Sequence, residues 1–431
     1  MKSPLLFLLA FVVFICSTIE SLASTEIMGV DSTKIISASA VSFDPYVATN
    51  EYLDTMTPEQ KAKSDAYFEG GYWLLLWGVI YSLFVGWIFL NKRLSITIKN
   101  LSFRITQNTN LGNAFYIVFY TVSAFILGFP MSVYEDYFRE HQYDLSNLSF
   151  GGWLTEEFQG LLVTSIIFSL LGVVLYMAIR KTGKIWWLWG SGITTFFLLL
   201  IILLMPIYIT PIFNDYKYLD EGPIKDSILS MAKANDVPVD NVYQFDASKQ
   251  SNRISANVSG LANTIRISLN DNLLKRCNES EVKAVMGHEL GHYVLNHVPK
   301  AILSFGLVII CGFAFVNWGF KKCMIKWGDK WGITGVDDVA GLPLIMVLFS
   351  VFFFFTEPVT NNIIRINEVE ADNYGLNAAR EPDGFASTAM KLSEYRKINP
   401  GYWEEIIFFD HPSGRNRVLM AMKWKAENLD R

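Results

Sequence analysis

The stretch His288-Glu289-Leu290-Gly291-His292 sets two imidazoles four residues apart, with a carboxylate beside the first. On a helix, residues i and i+4 share a face, so both rings can bind one metal ion. Glu289 then projects toward the open coordination position, where it can take a proton from water and pass it to a leaving amine. Two nitrogens with oxygen donors suit Zn²⁺, and a catalytic site of this kind needs three protein ligands and one open position. The third ligand is not the next histidine. The longer H-E-x-x-H-x-x-G-x-x-H pattern fails, because Leu295 and Val298 stand where its glycine and histidine should be. His297 lies five residues past His292, about 140° round the helix, and reads as structural.

The missing ligand is expected in Glu368-Val369-Glu370-Ala371-Asp372. In a helix Glu368 and Asp372 share one face. Glu368 can ligate the metal while Asp372 accepts the outer ring N–H of a ligand histidine and fixes its tautomer. Glu370 is the alternative ligand. Ala371 and Gly375 are small where a second helix would have to pass closely.

Both motifs need elements to hold them. Asn278-Glu279-Ser280-Glu281 opens a helix expected to run through His297, with acids in its first turn and Pro299 marking its end. A helix over Pro223–Asn235, strands at Asn241–Phe245 and Thr264–Leu269, a helix over Asn362–Ala379 and a terminal helix over Arg415–Leu429 complete the polar regions. The rest is apolar. Of 431 residues 51% are hydrophobic and only 18% charged, against about a quarter in soluble domains. Six runs are long enough for a bilayer, which takes roughly 20 residues of helix: Tyr72–Leu90, Ala114–Val133, Phe158–Ile179, Ile185–Ile209, Ala301–Phe320 and Gly341–Thr356. Trp and Tyr crowd several of their ends, as interfacial anchors do.

Charge orients them. Lys92, Arg93, Lys99 and Arg104 fill one loop; Arg180, Lys181 and Lys184 fill another, and Lys321, Lys322, Lys326 and Lys330 a third, whereas Glu135–Glu157 is acidic. Basic loops stay cytoplasmic, which puts both motif regions on the extracytoplasmic side (periplasmic, if the membrane is a bacterial inner one). Met1–Ala23 reads as a secretory signal, with Lys2, an apolar Leu5–Ile15 and Ser21-Leu22-Ala23 as cleavage site, or else as a first transmembrane helix. The resulting domains are 1–23, an extracytoplasmic segment 24–71, four spans in 72–209, a first catalytic part 210–300, two spans in 301–356 and a second catalytic part 357–431. The net charge of −5 and the lack of a basic stripe argue against nucleic acid. Four cysteines without C-x-x-C spacing suggest neither a disulfide framework nor a cysteine metal site.

The H-E-x-x-H helix, the downstream E-x-x-A-D stretch and the interleaved spans resemble the CAAX prenyl protease family of integral-membrane gluzincins. Ser251–Leu274, with Ala256, Gly260, Arg266, Ile267 and Leu274, resembles that family's strand-turn-strand segment. His411-Pro412 followed by Arg417 resembles its H-P-x-x-x-x-R motif, and Glu140–Asn147 its luminal segment. The resemblance implies a mainly α, polytopic membrane fold: a helical transmembrane barrel around a water-filled chamber, with a gluzincin-like zinc protease domain containing a small β-element. It further implies a peptide bound as an added β-strand along Ala256 and Asn257, although Ser255 replaces the family's usual asparagine. His411 would hydrogen-bond substrate or the oxyanion, and Arg417 would anchor the site or the peptide backbone.

The expected function is a zinc-dependent membrane endopeptidase, with one Zn²⁺ per chain, acting on membrane-associated or misfolded proteins. Its partners are a peptide or protein substrate and the lipid bilayer; the sequence names no adaptor. Genuine prenyl-CAAX processing is the alternative substrate reading. A non-catalytic transporter or scaffold is the alternative class. Charges inside the spans would favour transport, and the six runs contain essentially none.

Overall fold

The computed structural model describes residues 43–260 and 265–428. The expected export signal lies outside the described residues. A short helix, α1 (Pro45–Leu53), leads to α2 (Pro58–Asn91), α3 (Leu94–Ile105), α4 (Thr109–Ser132), α5 (Phe150–Thr182) and α6 (Trp186–Leu204). α4 runs on through π-turns to Gln142, and α6 does the same to Phe213. Five helical stretches are long and apolar enough to cross a membrane. One of them, Phe150–Phe213, holds two of the six expected runs. It reverses at Gly183, where φ is +53° and ψ −114°, a conformation open to glycine, and α5 and α6 pack against each other.

The helices overrun the apolar segments. α2 starts at Pro58 rather than near residue 72, because Thr57 and Gln60 form a capping box ahead of it. Its polar first turns reach the C-terminal part of the chain, where the Ser64 hydroxyl donates to the carbonyls of Ser393 and Arg396 at 2.6 and 2.8 Å.

Between the membrane segments lies a four-stranded sheet: β1 (Tyr216–Tyr218), β2 (Val242–Phe245), β3 (Ala256–Ser259) and β4 (Arg266–Asn270), in the order β1-β2-β4-β3. β2 and β4 are parallel, and β3 lies antiparallel to β4 at the edge. Helix α7 (Pro223–Ala234) precedes β2, and α8 (Asp271–Arg276) follows β4. Then come α9 (Glu279–Val294), α10 (His297–Trp331), α11 (Leu342–Ala379), α12 (Pro382–Leu392), α13 (Tyr402–Phe408) and α14 (Gly414–Asn428). Val242, Ile267 and Leu269 of the sheet share a buried core with Val282, Met286 and Leu290 of α9, so the sheet is the platform on which the histidine helix rests.

Two expected boundaries differ. The histidine helix stops at Val294, not at His297. Asn296 adopts the left-handed conformation (φ +57°) that asparagine tolerates, and Pro299 sits in the first turn of α10, where its missing N–H is no loss. The expected last span and the Asn362–Ala379 helix are one continuous helix, α11, with Pro358 inside it. The basic residues at the ends of α2 and α10 sit away from the sheet: α10 is 35 residues long, about 50 Å at 1.5 Å per residue.

Candidate metal centre

Local chemistry starts α9 firmly. The Asn278 side chain accepts from the Glu281 N–H at 3.0 Å, and the Glu281 carboxylate accepts from the Asn278 N–H at 2.7 Å. Glu281 also takes the Lys391 ammonium at 2.7 Å and the Ser387 hydroxyl at 2.5 Å, which ties the start of α9 to α12. From there α9 crosses α11 on small residues. A Cβ on Gly375 would stand 2.7 Å from the His288 nitrogen, and one on Gly291 would stand 3.1 Å from the Ala371 Cα. Helices this close bring a side chain of one within reach of two on the other.

Gly375→Ala tests that crossing. Alanine improves helix propensity by about 1 kcal/mol, but the new methyl meets backbone at 2.7–3.0 Å rather than a side chain that can swing away. Overpacking costs of roughly 1–3 kcal/mol should prevail. The variant is expected to melt at lower temperature and to bind less than one metal per chain, as read by scanning calorimetry and elemental analysis.

The structure gathers His288, His292 and Glu368, with donor atoms all within 4.8 Å of one another. The two histidine Nε2 atoms are 3.0 Å apart. Glu368 Oε2 is 3.2 Å from His288 Nε2, and Oε1 is 3.5 Å from His292 Nε2. Glu370 is not part of this group. It pairs with His297 Nε2 at 3.2 Å and the Lys300 ammonium at 2.6 Å.

Each histidine has a partner behind it. His288 Nδ1 meets Asp372 Oδ1 at 2.7 Å. Asp372 is wholly buried and is held by Arg417, through Nε at 2.9 Å and a terminal nitrogen at 2.5 Å. Arg417 therefore anchors the site through Asp372, and those two nitrogens are not free for a peptide. Burial lowers the basicity of His288, but the charge and hydrogen bond of Asp372 more than reverse this and hold the ring at about 10. A ring so backed is a strong Lewis base. His292 is held down to about 4 by burial and by the neighbouring His288, so it stays neutral. Its Nδ1 lies 2.8 Å from His297 Nδ1, and His297 reaches Glu370 on its other side.

Sequence spacing missed that second partner. His297 is off the metal-facing stripe of a single helix, but the break at Asn296 swings it back against His292. His297→Ala is expected to weaken metal binding about 10–100-fold, the usual cost of losing a partner behind a ligand. His297→Gln should recover part of it, because an amide oxygen can accept from Nδ1–H. Competition with a chromophoric chelator measures both; a merely structural histidine would lower the melting temperature and leave affinity unchanged.

A cavity of about 450 Å³ opens beside the histidines, lined by His288, Glu289, His411, Arg417 and Ala256 among others. Glu289 is half-buried in its wall, and desolvation raises its carboxyl to about 7. His411 faces Glu368 Oε2 through Nε2 at 3.2 Å, while its Nδ1 meets Asp410 at 2.8 Å. Asn257 is not among the residues lining the cavity, since successive strand residues face opposite sides. A divalent cation fits this donor set. Glu368 Oε2 is buried yet makes no hydrogen bond, although two imidazole nitrogens stand 3.2 Å away. Buried carboxylate oxygens are rarely left so, and a cation among these atoms would satisfy it.

Known proteins share this architecture. Residues 47–215 match the family model for the CAAX prenyl protease N-terminal region of five membrane helices, and residues 219–425 match peptidase family M48. The Bacillus subtilis protein described as uncharacterized metalloprotease YhfN is 28% identical over 379 residues, covering 85% of this chain and 87% of that one. The human CAAX prenyl protease 1 homolog is 24% identical over 325 residues, covering 65% and 66%. The crystal structure of S. mikatae Ste24p superposes with a TM-score of 0.73 at 19% identity, covering 88% of this chain and 94% of that one. The fold is thus a helical multi-pass membrane barrel joined to a metalloprotease domain with a small sheet. The N-terminal part of the chain thus matches the membrane region of CAAX prenyl proteases and the remainder matches peptidase family M48, and the chain is a membrane metalloendopeptidase.

Proposed function

We propose that the metal is a single Zn²⁺ held by His288, His292 and Glu368, and that the enzyme hydrolyses peptide bonds in membrane-associated or misfolded proteins on the extracytoplasmic side. The observation that carries the ligand set is the Glu368 carboxylate, with one oxygen buried and unbonded, facing the His288 and His292 Nε2 atoms at 3.2 and 3.5 Å. When bound, zinc supplies the Lewis acidity that polarises the scissile carbonyl and makes water acidic. The chain's own groups do the rest. Asp372 and His297 orient the two imidazoles. Glu289 takes the proton of the attacking water and delivers it to the departing nitrogen, a role suited to a carboxyl poised near neutrality. His411, steadied by Asp410, lies where it can hydrogen-bond the oxygen on which charge develops. The substrate lies along the edge strand β3, where backbone groups of Ala256 and its neighbours pair with it by strand addition.

Basic residues following α2 and ending α5 and α10 support this orientation. The eukaryotic relatives are named for CAAX prenyl proteins; an extracytoplasmic site favours a broader set of membrane-associated chains here. Detergent-purified protein is expected to cut an unfolded model protein, to stop when a zinc chelator is added, and to recover on zinc addition. Cleavage indifferent to chelators would refute the assignment.

A further inference from the structure

The wall beside the metal centre carries more positive charge than the chain itself neutralises. Three arginines line the cavity, Arg253, Arg396 and Arg417, whereas Glu289 is the sole acid among its lining residues. A guanidinium drawn from water calls for an acceptor of matching charge. Arg417 has Asp372. Arg253 has Glu140 at 2.7 Å and the Tyr67 hydroxyl at 2.9 Å. Arg396 is half-buried, and among the described residues no carboxylate lies within ion-pairing distance of it. Its charge reaches Asp410, but that carboxylate is engaged by the His411 ring at 2.8 Å. The Arg396 and Arg253 guanidinium carbons stand 6.0 and 5.4 Å from the centroid of the Tyr395 ring. An aromatic neighbour steadies a guanidinium and leaves its edge N–H groups open to a planar two-oxygen acceptor.

We propose that Arg396 is a specificity residue that binds a carboxylate of the peptide substrate. The proposal rests on the metallopeptidase reading above. The carboxylate is either the free C-terminus of a short peptide tail or an Asp or Glu side chain. Arg253 precedes Ala256 by three residues, and an extended chain rises about 3.3 Å per residue. A peptide paired along β3 therefore brings a carboxylate to this corner within roughly three residues of the position opposite Ala256.

The test uses the full chain in detergent with three quenched peptides of one core sequence. The first ends in a free carboxylate, the second is amidated but carries a glutamate near its end, and the third is amidated and neutral. Wild-type kcat/KM is expected to be at least about tenfold higher for an anionic peptide than for the neutral one, mainly through KM. Whichever anionic peptide leads identifies the source of the carboxylate. Arg396→Gln should erase the advantage with bound metal retained, and Arg396→Glu should turn the preference toward a peptide ending in lysine amide. Equal wild-type rates on all three peptides, or a uniform loss across them in Arg396→Gln, would overturn the proposal. Chelator-sensitive cleavage of the neutral peptide keeps the metallopeptidase reading in either case; no chelator-sensitive cleavage of any peptide would remove both.

Discussion

Glu289→Gln is expected to keep its metal and to lose peptide cleavage by on the order of 10²–10⁴-fold in kcat/KM, the range that a positioned acid–base group supplies. Glutamine fills the same space, and Glu289 is not one of the three converging donors, so the metal should stay. What disappears is the capacity to accept a proton from water and release it to nitrogen. Elemental analysis showing about one zinc per chain, beside kinetics on a quenched peptide, separates the two effects. Wild-type turnover in the variant would remove Glu289 from the reaction. The pH profile carries the same information. Burial raises the Glu289 carboxyl to about 7, so the proton-accepting form is lost as pH falls through that region. Activity should climb with pH and level off, with the acid limb at or below pH 7, because a nearby divalent cation favours the carboxylate. The residual activity of the glutamine variant should lack this limb.

The catalytic stripe is legible in the sequence because it is local. Helical periodicity alone puts His288 beside His292 and Glu368 one turn before Asp372, and the small residues Ala371 and Gly375 announce a close crossing. Hydropathy finds the spans for a similar reason, since a bilayer demands a continuous apolar run. It cannot find where the helices end. α2 carries 14 residues ahead of Tyr72, and α11 carries Glu368 well beyond its apolar run; a polar helical extension leaves no hydropathy signal. These extensions are what couple membrane to site, because one continuous helix holds both the last span and the Glu368 carboxylate that faces the two histidines.

Non-local contacts outside these motifs leave no signature in the sequence. The Ser251 region that leads into β3 pairs with Ser146 of the segment between α4 and α5, and Glu140, in the continuation of α4, reaches Arg253. A hundred residues separate these partners, so no window of sequence contains both. The His292–His297 contact fails differently. Its residues are five apart, but a single left-handed asparagine between two helices decides whether their rings meet. Pro299, a usual stop signal, instead opens the next helix.

Glu368→Ala should abolish stoichiometric zinc, whereas Glu370→Ala should not. Glu368 is the carboxylate that faces both Nε2 atoms, at 3.2 and 3.5 Å. Without it two imidazoles remain, one fewer than a catalytic zinc needs from the protein. Glu370 stands behind His297, held by Lys300 at 2.6 Å, so its loss is felt only through two intervening rings. Its cost should stay within the roughly 10–100-fold that outer partners contribute. Chelator competition ranks the two variants, and the reverse order would transfer the ligand role to Glu370. Stability supplies an independent readout. A ligand that binds only the folded chain raises Tm by mass action, so zinc should lift the melting temperature of wild type and of Glu370→Ala but leave that of Glu368→Ala unmoved. In the absence of zinc Glu368→Ala should also melt below wild type at neutral pH, because, against the effect of burial, the surrounding imidazoles hold the Glu368 carboxyl well below the usual carboxylate range and so favour the folded chain. A carboxylate whose loss removes the zinc-dependent rise in Tm, and not only some stability of the metal-free chain, has the signature of a ligand rather than of a structural ion pair.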